Sequence, residues 1–119
     1  MKYLFLLLLL CSFTYTTGPK HVGLKGVKVL SASTQQILGR NVGYYVKFKN
    51  NSSKSVDALR WKATFTNNFG EVKGVREGEW ESGNLITPIE PGEETEDIER
   101  VWVKDATKVK IVITTVHFI

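Results

Sequence analysis

The residue types that carry out chemistry are sparse and widely separated in this chain. Its two histidines, His21 and His117, lie near opposite ends, and its single cysteine, Cys11, closes an apolar run. A catalytic nucleophile needs a base within hydrogen-bonding reach, and no spacing here supplies such a pair. Zinc needs three or four grouped His, Cys or carboxylate ligands, which the sequence does not display. The acidic run from Glu90 to Glu99 offers oxygen donors of the kind calcium takes. It lacks the regular Asp, Asn and Gly spacing that preorganises a calcium loop. The expectation is a protein that is not an enzyme and uses no cofactor or metal.

Two sets of residues have the chemistry of binding. Sugars stack on exposed aromatic faces, and Tyr45, Trp80 and Trp102 are the candidates for a glycan platform; core packing or edge cover is the alternative for the tryptophans. Lys47, Lys49, Arg60 and Lys62 are the candidates for contact with a polyanion, an acidic glycan or anionic lipid. Charge is distributed unevenly around them. From Pro19 to Arg76 eleven Lys or Arg accompany two acids, whereas from Glu77 to Val103 nine acids accompany Arg100 alone. Such halves either form a dipolar surface or meet as oppositely charged neighbouring strands. If the strands bearing the four cations form a hairpin, the charges gather in one patch; if the chain crosses between sheets, they divide.

Those side chains must be positioned by strands. In GYYVKFKN, Tyr44, Val46 and Phe48 alternate with Tyr45, Lys47 and Lys49; in ALRWKATFT, Leu59, Trp61, Ala63 and Phe65 alternate with Arg60, Lys62 and Thr64. NNSSKSVD reads as a corner between these strands, and TNNFGEV as a turn out of the second. VREGEWESG places Glu77, Glu79 and Glu81 opposite Gly78 and Trp80, the pattern of a charged edge strand. Pro88 and Pro91-Gly92 mark a connection. The run from Glu96 to Val103 has an ambiguous inward face. KVKIVITTVHF aligns Val109, Ile111 and Ile113 and then changes parity to Val116 and Phe118, and an earlier strand runs through Val27 and Val29.

No stretch holds a capped helical period, so the expected fold is all-β, an immunoglobulin-like antiparallel β-sandwich of about seven strands. The corner Asn51-Ser52-Ser53, the turn from Asn67 to Gly70 and Pro91-Gly92-Glu93 carry a resemblance over about Tyr44 to Phe118. In these the chain resembles small exported bacterial immunoglobulin-like domains of unknown function, including the FxLYD-like group. The resemblance implies the sandwich, favours a crossing corner that divides the four cations, and says almost nothing about activity.

At the N-terminus Lys2 precedes an apolar run from Tyr3 to Cys11 and then small hydroxylated residues, the anatomy of a secretory signal peptide. The expected organisation is a signal peptide over 1–16, a flexible segment over 17–23 and one domain over 24–119. Cys11 is the residue that a lipoprotein signal would lipidate, although Leu10 before it is larger than that signal prefers. Secreted or periplasmic placement is expected, with a lipid anchor at the cell envelope as the alternative and membrane association only if Cys11 is lipidated. The expected function is a non-catalytic binding or structural module at the envelope, acting as a monomer on an envelope protein or glycan, with no nucleic acid partner. A carbohydrate-binding module, and an envelope enzyme or inhibitor with a diffuse site, are the alternatives.

Overall fold

Alternating strands need a partner layer to bury their apolar faces, and the chain provides two. The computed structural model describes residues 20–119. The expected signal peptide over 1–16, Cys11 within it, and residues 17–19 therefore lie outside the described residues. Six antiparallel strands follow in order: β1 Val27–Leu38, β2 Asn41–Asn50, β3 Val56–Thr66, β4 Val72–Glu81, β5 Glu94–Lys104 and β6 Lys108–Phe118. They form two three-stranded sheets, β1-β2-β5 and β4-β3-β6. β1 lies across from β6 and β4 across from β5, closing an all-β sandwich. Among the described residues no helix forms, and so none is long and apolar enough to cross a membrane.

The strand count is six where about seven were expected. Before β1, Val22 makes a single parallel bridge to Val112 of β6. Its N–H donates to the Ile111 carbonyl at 2.9 Å, and the Ile113 N–H donates to its carbonyl at 2.9 Å. Lys25 and Gly26, both at positive φ, then reverse the chain into β1. The segment is too short for a strand, and Val22 ties it to β6. His21 Nδ1 accepts the Ile111 N–H at 3.0 Å, and burial, with Lys110 second, holds its pKa below the ordinary histidine range.

The core is built from the alternations of β2 and β3. Tyr44, Val46 and Phe48 meet Leu59, Trp61, Ala63 and Phe65 between the sheets, all buried. Phe48 packs on Trp61 with ring centroids 4.9 Å apart, and Tyr44 meets Phe65 edge-on at 5.5 Å. Gly78 of β4 lies against Trp61, and a Cβ there would stand 2.3 Å from the indole. The parity change in β6 is a register shift opposite Arg60 and Trp61, which brings Val116 back to the core.

The corner from β2 to β3 turns on Asn50, among the described residues the one polar residue buried with the core. Its Nδ2 donates to the carbonyls of Lys54 and Ile89, both at 2.8 Å, while its Oδ1 accepts from Ser52 N–H and Ser52 Oγ. Its backbone bonds to Glu93 and Gly92. One side chain thus ties the sheet-crossing corner to the connection between β4 and β5. The loop from β3 to β4 closes similarly on Asn67 Oδ1, which accepts from the N–H groups of Phe69 and Glu71.

Candidate functional site

Strand parity sends the candidate cations outward, but onto different sheets. Lys47 and Lys49 lie on the outer face of β2, Arg60 and Lys62 on that of β3, and the corner at Asn50 separates the two. They form two patches facing opposite sides of the sandwich. Each cation stands opposite a carboxylate on the neighbouring strand: Lys47 pairs with Glu96, Lys49 with Glu94, Arg60 with Glu79 and Lys62 with Glu77. Lys47 Nζ lies 3.2 Å from Glu94 and 3.8 Å from Glu96, and Arg60 Nε lies 3.3 Å from Glu79. The Glu94 carboxylate, the largest influence on Lys47, raises its pKa. The uneven charge along the sequence is therefore matched across strands, β2 with β5 and β3 with β4. Exposed pairs of this kind contribute little to stability, because solvent screens them.

The three candidate aromatics do not come together. Trp80 is only 8% exposed and belongs to the core, so it offers no stacking face. Tyr45 and Trp102 remain on the outer side of β1-β2-β5, Trp102 at 57% exposure. Tyr45 is half-buried and stands directly opposite Ile98, itself 58% exposed. The phenol of Tyr45 lies by Glu96, whose carboxylate is the main reason its pKa is raised.

Next to Tyr45, the register of β2 against β5 breaks between Val42 and Tyr44, so that the stretch from Glu99 to Val103 on β5 loops out opposite Gly43. A side chain at position 43 would collide with the Glu99 carbonyl at 2.5 Å and Ile37 Cδ1 at 2.9 Å. Glycine is what lets β5 approach there. The resulting hollow is lined by Gln35, Gln36, Ile37, Gly43, Ile98, Glu99 and Arg100, mixing aliphatic side chains with amides, a carboxyl and a guanidinium.

A second feature was not anticipated from the sequence. Along β5 the residues turned toward the core are Thr95, Asp97, Glu99, Val101 and Val103, since Asp97 pairs with Val46 and Glu99 with Tyr44. Two adjacent carboxyls thus enter the flank of the sandwich where β4 and β5 face each other. Burial, then the adjoining Asp97 and finally Glu79, push the Glu99 carboxyl up to about 7. Burial is also the chief reason that the Tyr44 phenol is raised. The legible signal was parity with Val103. Below this flank Arg76 Nη2 donates to the Trp102 carbonyl at 3.3 Å.

His117 and Asp57 form a pair on the outer face of β4-β3-β6, and His21 lies by β6, so the histidines do not share a site. Among the described residues no group of three or more His, Cys, Asp or Glu is placed to hold a metal ion. Comparison with protein-family models, with curated proteins and with solved structures returns no match.

Proposed function

We propose that this chain is a non-catalytic exported module that acts by surface binding or structural association at the cell envelope, of the FxLYD-like immunoglobulin kind that its turn motifs resemble. The observation that carries the reading is the outer face of β1-β2-β5, where Ile98 stands more than half exposed opposite Tyr45 near the hollow over Gly43, with Trp102, also more than half exposed, farther along β5. Strands expose large apolar groups in such a row at interaction surfaces. The paired cations add a weak, salt-sensitive attraction to polyanions, because exposed charges are screened beyond about 8 Å at physiological ionic strength. The test is co-sedimentation of the protein with isolated cell envelopes, with an Ile98→Asp, Trp102→Ala variant alongside. The wild type sediments and the variant stays in the supernatant; equal behaviour of the two removes the face from the argument.

Carbohydrate binding is the second reading, favoured by the pairing of a stacking ring at Tyr45 with polar groups at the neighbouring hollow, Gln35 and Arg100. Sugars combine stacked apolar faces with hydroxyls that need such partners. Affinity electrophoresis in gels containing envelope polysaccharides retards the wild type, and Tyr45→Ala restores free mobility. Retardation that survives the substitution argues against this platform.

A further inference from the structure

A sheet edge presents unpaired N–H and C=O groups, and natural sheets blunt their edges with charges or cover. This sandwich has four edges, and three are treated in that way. β4 carries Lys73, Arg76 and three glutamates; β5 points Asp97 and Glu99 inward and further charges outward; β6 is covered by the Val22 bridge. β1 is the exception. From Val29 to Leu38 it contains no charged residue and no proline, and among the described residues its backbone bonds only to β2 along Lys28–Leu38.

We propose that the free edge of β1 is a self-association surface, which pairs antiparallel with β1 of a second copy and joins the two β1-β2-β5 sheets edge to edge. The occupant follows from the residues along the edge. Ala32, Thr34 and Gln36 pair with the buried Val46, Tyr44 and Val42 and so face the core, while Ser33 and Gln35 face outward. Directly opposed residues of an antiparallel pair share a face, so a two-fold axis must pass through a residue rather than between residues. With the axis at Thr34, Ala32 meets Gln36 on the core side and Ser33 meets Gln35 on the solvent side. The same axis brings Leu30, 43% exposed, beside Leu38 of the other copy, 69% exposed, at both ends of the pairing.

An edge neutral from Val29 to Leu38 meets itself along that stretch without like-charge repulsion, which the edges of β4 and β5 would not. The nearest cations are Lys28 and Arg40. Arg40 falls toward Lys28 of the other copy, and it is already paired with Asp105. The register shifts after Val29 and after Gln36 lie outside the central stretch Ser31–Gln36, which keeps an unbroken ladder with β2. The proposed pairing departs from the monomer expected from the sequence.

The experiment uses the chain expressed from its full sequence and purified as its host processes it, with Cys11→Ser throughout. Sedimentation velocity over a concentration series finds a species of twice the monomer mass, and Ser33→Lys with Gln35→Lys shifts it to monomer without changing the far-ultraviolet dichroism. A Leu30→Cys chain mixed with a Leu38→Cys chain forms a disulfide heterodimer under mild oxidation, whereas either chain alone gives several-fold less. A wild type that stays monomeric throughout overturns the proposal, as does a dimer that keeps its affinity in the double-lysine variant. Equal cross-linking by either cysteine chain alone overturns it too.

Discussion

Trp61 and Tyr44, buried on opposite sheets, are joined by a hydrogen bond of 2.7 Å in which the indole Nε1–H donates to the phenol oxygen. It is a direct polar link between the two sheets, and it fixes how they face each other at the level of Glu99 and Gly78. Replacing Tyr44 by Phe keeps the ring and strands the indole N–H, which costs about 1–3 kcal/mol. Replacing Trp61 by Ala removes the largest core side chain and costs about 3–5 kcal/mol. Urea unfolding monitored by dichroism separates the two, and a Trp61→Ala protein as stable as the wild type means the aromatic does not centre the core.

Asn50 holds the corner on which the division of the basic residues depends. Its side chain serves two carbonyls and two Ser52 donors, so Asn50→Ala strands several groups at once and costs roughly 2–4 kcal/mol. Asn51, exposed next to it, tolerates Ala within about 0.5 kcal/mol. Both residues open a formal glycosylation sequon, but only Asn51 has a side chain free of this network. Equal unfolding midpoints for the two alanine variants contradict the assignment.

How much of this was legible in the sequence follows the apolar faces. Tyr44, Val46 and Phe48, and Leu59 to Phe65, alternate because both flanking positions are settled by one core, and the corner between them carries turn chemistry. The parity change in β6 was readable and proved to be a register shift. β1 beyond Ser33 was not read as a strand, because an edge strand continued by Thr and Gln shows no hydrophobic alternation. The inward face of β5 stayed ambiguous since Asp97 and Glu99 occupy positions that a closed core would give to apolar residues. Trp80 shared its parity with Gly78 in the sequence, yet whether such a face is covered depends on a partner sheet that sequence pattern does not place.

Gly78 is the counterpart of Trp61 on the neighbouring strand. A methyl group there meets the buried indole at 2.3 Å, and the ring has no free side to yield toward. Gly78→Ala therefore overpacks the core and destabilises by about 1–3 kcal/mol, despite alanine's better strand conformational entropy. Combining it with Trp61→Phe, which removes the colliding part of the ring, costs less than the sum of the two changes. Additive losses in that cycle place the origin of the penalty elsewhere than the contact.

The Asp97 and Glu99 pair makes stability depend on pH in an identifiable direction. In the unfolded chain Glu99 titrates near its ordinary value of 4.5, and in the folded protein near 7. Between those values the folded state retains a proton that the unfolded state has lost, so the contribution of this group favours folding at low pH and is lost as pH rises through about 7. The comparison is made against Glu99→Gln rather than on the wild type alone, so that the pH dependence of every other group cancels. The Gln variant lacks the loss, and its advantage over the wild type grows from about pH 5 to about pH 8, to an extent limited by the solvent access of this flank. Asp97→Asn removes the adjoining charge and moves the window downward, toward the ordinary carboxylate range. Urea midpoints for the three proteins across that pH series provide the check. If wild type and Glu99→Gln run parallel throughout, the carboxyl ionises without penalty and the flank is open to water.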